Sequence, residues 1–220
     1  MFPCGTVSKL CFYKFCDIEA RHGRYAQLIS IPRHLKSSTK ALYRGLKVRF
    51  KPKPLKGDVK FECKFCLDCC RGRFIYLTLR DIEGIMKHGH DPQDFILLTV
   101  QDGKIRFVLA YREWDLGCVF HDPETGKCKI HEYNPLICQI YPFMVSHKPL
   151  GVEEEEPFEY KGQKLWLYYD ESCPGIGEGE EIITRARIAE LGVRFKEEFE
   201  KTDLDSFNTL LNGEDNGTQV

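Results

Sequence analysis

Apolar positions along the chain recur at helical spacing in two stretches and cluster as strands in several others. Leu79, Ile82, Ile85 and Met86 line one helical face. Thr78-Leu-Arg-Asp81 before them has the Thr-x-x-acid form of a capping box, and Gly89 after His88 supplies a stop. Phe74–Leu77 is a short strand-like run leading into this helix. Phe95–Val100 and Lys104–Tyr111 read as strands joined by Gln101-Asp102-Gly103, a hairpin turn. Phe143–Ser146 and Lys164–Tyr169 are further strand candidates, separated by the acidic run Glu153–Glu156, a solvated loop. Residues 178–201 are predicted as the longest helix: Ile182, Ala186, Ala189 and Val193 line one side, and Ile188, Leu191, Phe195 and Phe199 widen the stripe.

These elements predict a small α+β domain in which cysteine-rich loops wrap around metal or cluster sites, a β-hairpin packs on one or two helices and the 178–201 helix closes the core. The chain is expected to divide into an N-terminal extension with a basic arm (1–58), a cysteine-cluster metal-binding domain (59–205) and a flexible tail (206–220). With 42% hydrophobic and 30% charged residues the composition is that of a globular protein, and no 18-residue apolar run predicts a membrane span. The first residues, Met1-Phe-Pro-Cys4-Gly, lack the features of a secretory signal, which places the chain in a reducing cytoplasm. There eleven cysteines are expected to be metal ligands or redox groups rather than disulfides.

A net charge of −1 conceals segregation. Residues 31–60 hold ten lysines and arginines against the single acid Asp58, whereas residues 151–220 hold eighteen acids and seven bases. The basic arm can neutralise nucleic-acid phosphates, the acidic tail or a protein partner. No RNP-like pattern, zinc-finger histidine pair or recognition helix accompanies it.

Four thiols fall within eight residues, Cys63-x-x-Cys66-x-x-Cys69-Cys70, and Cys118, Cys128, Cys138 and Cys173 follow at long intervals. Overlapping Cys-x-x-Cys pairs place thiolates a turn apart with backbone amides inward, which suits one metal or one edge of an iron–sulfur cube. Three such thiols plus the remote Cys173-Pro174 follow the ligand logic of a bacterial ferredoxin cluster. Adjacent side chains point apart, so Cys70, Cys118, Cys128 and Cys138 form a second candidate set. One four-ligand site with the other thiols free, or two zinc sites, fits the spacing equally. The turn Asp122-Pro-Glu-Thr-Gly126 is expected to bring Cys118 and Cys128 together. His121 and His131 read as surface residues or hydrogen-bond partners of the thiols, with ligation as the alternative. Arg71 and Arg73 either offset thiolate charge or face solvent. Cys4, Cys11 and Cys16 match no common ligand spacing and read as buried or incidental thiols, with an extra three-thiol site as the alternative.

The compound motif of the cysteine cluster, then Cys128-Lys-Ile130-His131-Glu-Tyr-Asn134-Pro135-Leu-Ile-Cys138-Gln-Ile-Tyr141-Pro142, then Cys173-Pro-Gly175, resembles the YkgJ-type cysteine-cluster proteins of bacteria and archaea over about residues 60–180. The resemblance implies a zinc- or iron-chelating protein in which all eight cysteines from Cys63 to Cys173 belong to the metal constellation. Asn134 and Gln139 stand where that family usually carries arginines. A similar cluster in the flagellin lysine methylase, a protein thought to carry an iron–sulfur cluster, implies protein modification as a further role. Neither the cluster motif of a radical methylase nor the glycine-rich turn of a conventional one is present. The expected function is therefore a cytoplasmic iron–sulfur protein, with 4Fe–4S the expected cofactor and zinc the alternative, acting in electron transfer, cluster handling or as an accessory subunit. The alternatives are a zinc-stabilised module binding nucleic acid or protein through residues 31–60, and a lysine methylase-like enzyme. A protein partner or complex is expected, and no membrane association.

Overall fold

The computed structural model describes residues 50–112 and 114–213. Cys4, Cys11, Cys16, most of the basic arm and the last residues of the expected tail lie outside them. In chain order the elements are β1 (Pro52–Pro54), β2 (Val59–Lys60), β3 (Tyr76–Leu77), α1 (Leu79–Lys87), α2 (Pro92–Phe95), β4 (Ile96–Gln101), β5 (Lys104–Leu109), a 3₁₀ turn (His131–Tyr133) and α3 (Leu136–Ile140). Then come β6 (Phe143–Ser146), β7 (Pro157–Tyr160), β8 (Gln163–Asp170), β9 (Ile182–Ile183), α4 (Arg185–Glu200) and α5 (Leu204–Gly213). The described residues thus form the expected α+β fold, with three small antiparallel sheets.

Two apolar cores organise it. The first lies between the β3–β5–β4 sheet and helices α1 and α5, and buries Leu77, Ile82, Ile85, Phe95, Phe107 and Phe207. The second lies between β8, β6 and helices α3 and α4, and buries Ile140, Phe143, Leu165, Leu167, Ile188 and Ala189. Each fully buried Leu, Ile or Phe contributes about 1.5–3 kcal/mol relative to exposure. Helix α3 belongs to both: Leu136 and Ile140 enter the second core, Cys138 packs on the first, and Ile137 touches the two.

Local signals are realised closely. The Thr78 hydroxyl accepts the Asp81 amide, and the Asp81 carboxylate accepts the Thr78 amide at 2.8 Å. The Asp102-Gly103 hairpin joins β4 to β5 with Gln101 opposite Lys104. Long-range pairing brings four corrections. Helix α4 starts at Arg185, not 178, because Ile182 and Ile183 pair antiparallel with Lys60 and Val59. The Thr184 side chain and Asp58 then cap the helix through the amides of Arg187 and Arg185. Ile182 and Ala186 are accordingly exposed, and the buried stripe begins at Ile188. Residues 204–213, placed mostly in a flexible tail, form α5 with Phe207 and Leu211 buried. Residues 52–54, assigned to the extension, form β1 on the edge of β8, and Leu55 enters the second core. The loop after Glu156 continues as β7, so that Trp166 of β8 is paired with Ser146 on one side and Pro157 on the other.

Two buried charges fasten the ends of these elements. Arg106 donates to the carbonyls of Phe199 (2.7 Å) and Thr202 (3.2 Å) and lies over the Phe199 ring, so a cation meets the negative C-terminal end of α4. Asp170, fully buried at the end of β8, accepts Arg73 Nη2 and the Tyr141 hydroxyl at 3.0 Å each through Oδ2. Its Oδ1 accepts the Ser172 hydroxyl and the amides of Lys51 and Ser172. Burial pushes this carboxyl up, but the bonds from Ser172, Lys51 and Arg73 prevail and hold it below the ordinary carboxylate range.

No helix among the described residues is long and apolar enough to cross a membrane. Two outcomes follow from the packing. Gly192 faces β6, where an added Cβ would stand 2.5 Å from Val145 Cβ. Gly192→Ala is therefore expected to destabilise the protein, although alanine is the better helix former by about 0.8–1 kcal/mol; a higher urea midpoint would show that β6 yields. Asp170→Asn is expected to cost about 3 kcal/mol at neutral pH. A depressed pKa stabilises above the unfolded value of about 3.9 and is lost as pH falls below it, so the variant should also lose stability less steeply between about pH 5 and 3. Urea denaturation across that range checks both.

Candidate metal centre

Three pieces of irregular backbone pairing gather the thiols. Residues 60–62 run antiparallel to 175–181: Gly177 donates to the Lys60 carbonyl, Phe61 to Glu181 and Glu62 to Gly175. This sets Cys63 beside Cys173, and Gly175 is required there because a Cβ would overlap the Glu62 carbonyl oxygen. Residues 70–72 run antiparallel to 116–118, with Cys118 donating to the Cys70 carbonyl at 2.8 Å and Gly72 to that of Leu116 at 3.1 Å. The turn over Asp122–Gly126 closes through the Asp122 amide to Lys127 and bridges His121 to Cys128. Cys138 comes from α3, at the seam of the two cores.

All eight cysteines are free thiols; Cys118 is buried, Cys66 exposed and the rest intermediate. The sulfurs are bedded on backbone amides. The amide of Phe65 lowers the Cys63 thiol, that of Asp68 lowers Cys66, those of Phe120 and His121 lower Cys118, that of Ile130 lowers Cys128, and that of Gly175 lowers Cys173. The donor two residues after the cysteine recurs at all five, and the chain bends sharply to present it: Phe65 and Leu67 adopt left-handed backbone with φ of 51° and 70°. Such N–H dipoles favour the thiolate, the form that binds metals.

Burial acts against them. It pushes Cys63, Cys66, Cys128, Cys138 and Cys173 above the ordinary thiol range, and Cys118 to about 11. Cys69 and Cys70 form a pair, Sγ to Sγ 3.6 Å, in which the hydrogen bond from Cys70 lowers Cys69 and raises its donor; Arg73 lowers Cys69 further. The charges of neighbouring thiols map the arrangement. Cys173 feels Cys66, Cys69 and Cys63, while Cys70 feels Cys118 and Cys138 in addition to Cys69, and Cys118 feels Cys128. Cys128 also feels Cys69 and Cys63, and Cys138 feels Cys69 beside Cys118 and Cys128, so the two groups abut both at the Cys69–Cys70 pair and at Cys128. Among the described residues, no group of three or more Cys, His, Asp or Glu side chains stands close enough together to hold a metal ion as placed. The donor chemistry nevertheless fits a thiophilic metal: eight free thiols influence one another's ionisation, and at five of them a backbone amide favours the thiolate.

Among the surrounding polar groups, Arg112, Asp115 and Asp81 were not legible as site residues. Arg112 forms a bidentate pair with Asp115 (3.0 and 2.7 Å) and donates from Nη1 to the carbonyls of Cys118 and His121, which fixes that turn. The Arg112 guanidinium, burial opposing it, holds the Asp115 carboxyl down at about 2. Arg71 faces Asp115 at 3.5 Å and Arg73 faces Asp170, so both arginines are already paired with carboxylates. Asp81 spends its second oxygen on the Leu136 amide at 2.8 Å, tying the capped end of α1 to the start of the helix that carries Cys138. Gln139 donates to the Asn134 carbonyl at 2.9 Å, a local brace at the positions where the resemblance led one to expect arginines. His131 packs its ring on Phe65, and His121 is buried with Nε2 unpartnered.

A family model described as "CxxCxxCC: Putative zinc- or iron-chelating domain" matches residues 62–174, a span that holds all eight of these cysteines. Among curated proteins, Uncharacterized protein MJ0661 of Methanocaldococcus jannaschii is 28% identical over 160 residues, covering 66% of this chain and 78% of that protein. No solved structure matches the chain. The family match spans half of the chain, and the protein belongs to the CxxCxxCC family of zinc- or iron-chelating domains.

Proposed function

We propose that the eight cysteines hold iron–sulfur, with 4Fe–4S the favoured form, in a protein of the reducing cytoplasm that transfers electrons, handles clusters or serves as an accessory subunit of a larger complex. The observation that carries this reading is the repeated amide-to-sulfur bedding at Cys63, Cys66, Cys118, Cys128 and Cys173. Isolated surface thiols have no reason to share a donor two residues on. What favours iron–sulfur is the triplet Cys63, Cys66 and Cys69 with Cys173, before Pro174, lying in the field of all three. Cys70, Cys118, Cys128 and Cys138 would form the second set.

When bound, such a cluster supplies one-electron transfer. The chain's own contribution is to bring the sulfurs together from distant segments, to offset their charge with amide dipoles and to shield the inner ones against the first core. Because burial favours the neutral thiols, protons leave as metal arrives. Phe65, 39% exposed beside exposed Cys66, is the natural contact for a protein partner.

Protein purified without oxygen is expected to contain iron and acid-labile sulfide and to absorb broadly near about 400 nm. Colourless protein with stoichiometric zinc would overturn the iron–sulfur assignment and leave a structural tetrathiolate module. Gly175→Ala is expected to push residue 175 off Glu62 and so part Cys173 from Cys63. Metal binding at that set should weaken about 10–100-fold, read by competition with a chelator, and unchanged affinity would remove Cys173 from the ligand set.

A further inference from the structure

We propose that Asp170 is the positioning residue of the thiol centre, its carboxylate fixing three cysteine-bearing segments against one another before metal arrives. This rests on the metal-centre reading above and adds residues that the cysteine pattern does not include. Asp170 is fully buried, and both of its oxygens are spent. Oδ2 accepts Arg73 Nη2 and the Tyr141 hydroxyl, each at 3.0 Å. Oδ1 accepts the Ser172 hydroxyl at 2.6 Å, the Ser172 amide at 3.1 Å and the Lys51 amide at 3.2 Å. These partners are not scattered along the chain. Arg73 stands three residues after Cys70, Tyr141 three residues after Cys138, and Asp170 itself three residues before Cys173.

The backbone of Asp170 works to the same end. Its carbonyl accepts the Cys173 amide at 3.0 Å, and its amide donates to the Pro142 carbonyl at 2.8 Å, one residue past Tyr141. The Arg73 guanidinium lies 4.8 Å over the Tyr141 ring, so two arms of the hub brace each other. Both stand near enough to the thiols for charge to act between them, Arg73 on Cys69 and Cys173 on Tyr141. Cys69 and Cys173 belong to the outer set and Cys70 and Cys138 to the inner, so one carboxylate refers both sets to a common point. Metal sites need their ligands within about 0.5 Å of the productive geometry, held there by residues behind them. A buried carboxylate is costly unless every donor around it is met. A glutamate would keep the charge, but its extra methylene carries the oxygens past the places these donors define. Reach as well as charge is thus what the hub requires of residue 170.

The experiment loads the full-length chain with cadmium and compares wild type with Asp170→Asn, Asp170→Glu and Arg106→Met. Affinity is read by competition with a chelator, and the sulfurs at the metal by the cadmium NMR shift. Arg106→Met controls for general loss of stability: it removes the other buried anchor, whose partners Phe199 and Thr202 lie on no cysteine-bearing segment. Both Asp170 variants are expected to bind cadmium about 10–100-fold more weakly and to move the shift away from its wild-type position. Arg106→Met should keep the affinity and shift of the wild type. Wild-type values in Asp170→Glu would leave charge alone to account for the residue, and an equal loss in Arg106→Met would make Asp170 a general anchor of the fold; either overturns the proposal. Should the Asp170 variants fail to fold, Tyr141→Phe decides, since it removes the hydroxyl bonded to Oδ2 and keeps the ring under Arg73. Weaker binding with an altered shift supports the hub, and unchanged values of both sink it. Wild-type protein that takes up no cadmium would instead defeat the metal-centre reading on which the inference stands.

Discussion

Eight sulfurs, four of them packed on the first apolar core, need polar partners that travel with them, and the chain supplies these from its own backbone. An amide two residues on reaches the sulfur only if the chain turns at once after the cysteine. The cysteines are therefore set in loops and tight turns, with Phe65 and Leu67 in left-handed backbone where side chains usually avoid it. The exceptions are instructive. The amide that would serve Cys70 belongs to Gly72 and is spent on the Leu116 carbonyl, and Cys70 turns to Cys69 instead. Cys138 sits within α3, and burial leaves it raised well above the ordinary thiol range, with no amide among the main influences on it. That thiol depends most on what a metal brings.

The scaffold works by bringing distant segments into register rather than by offering one stiff element. β2 meets β9, and residues 70–72 meet 116–118, so each thiol group closes a long loop. Closing such loops costs conformational entropy that two-residue strands do not recover alone. Neighbouring anchors help: buried Arg106 at the end of α4, buried Asp170 at the end of β8 and half-buried Asp81 between α1 and α3 each satisfy two backbone groups from one charge. A metal that clamps thiols from both ends of these loops stabilises the fold in the same way, which couples loading to folding.

What was legible from residues alone was local. The Thr78–Asp81 box, the Asp102-Gly103 hairpin and the Asp122–Gly126 turn depend on neighbours in sequence, and each is present. The start of α4 was misplaced because Ile182 is in phase with the helical stripe, and only its pairing with Lys60, far back in the chain, makes it a strand. Phe207 and Leu211 escaped notice because a ten-residue amphipathic helix bordered by a polar tail resembles the tail. The same divide runs through the site. Cysteine spacing pointed to a thiol centre and to its family, but nothing in the order of residues says that Asp81 gives its second oxygen to Leu136. Nor does it say that Arg112 holds the His121 turn.

The two thiol groups are not equivalent, and the difference bears on how the centre is used. The group of Cys63, Cys66, Cys69 and Cys173 sits on loops with exposed Cys66 and half-exposed Phe65 at its rim. The group of Cys70, Cys118, Cys128 and Cys138 packs against the first core, with Cys118 buried in it. Each has an arginine nearby, yet Arg73 is engaged by Asp170 and Arg112 by Asp115, so neither brings an uncompensated positive charge. Thiolate charge must then be offset by amide dipoles and by the metal itself, and water contributes more at the outer group than at the inner one. A centre built this way has a solvent-facing half, open to exchange with a partner or a chelator. The two halves meet at the sulfur contact between Cys69 and Cys70 and again where Cys128 stands in the field of Cys63 and Cys69, so the two sets of thiols are electrostatically coupled rather than separate.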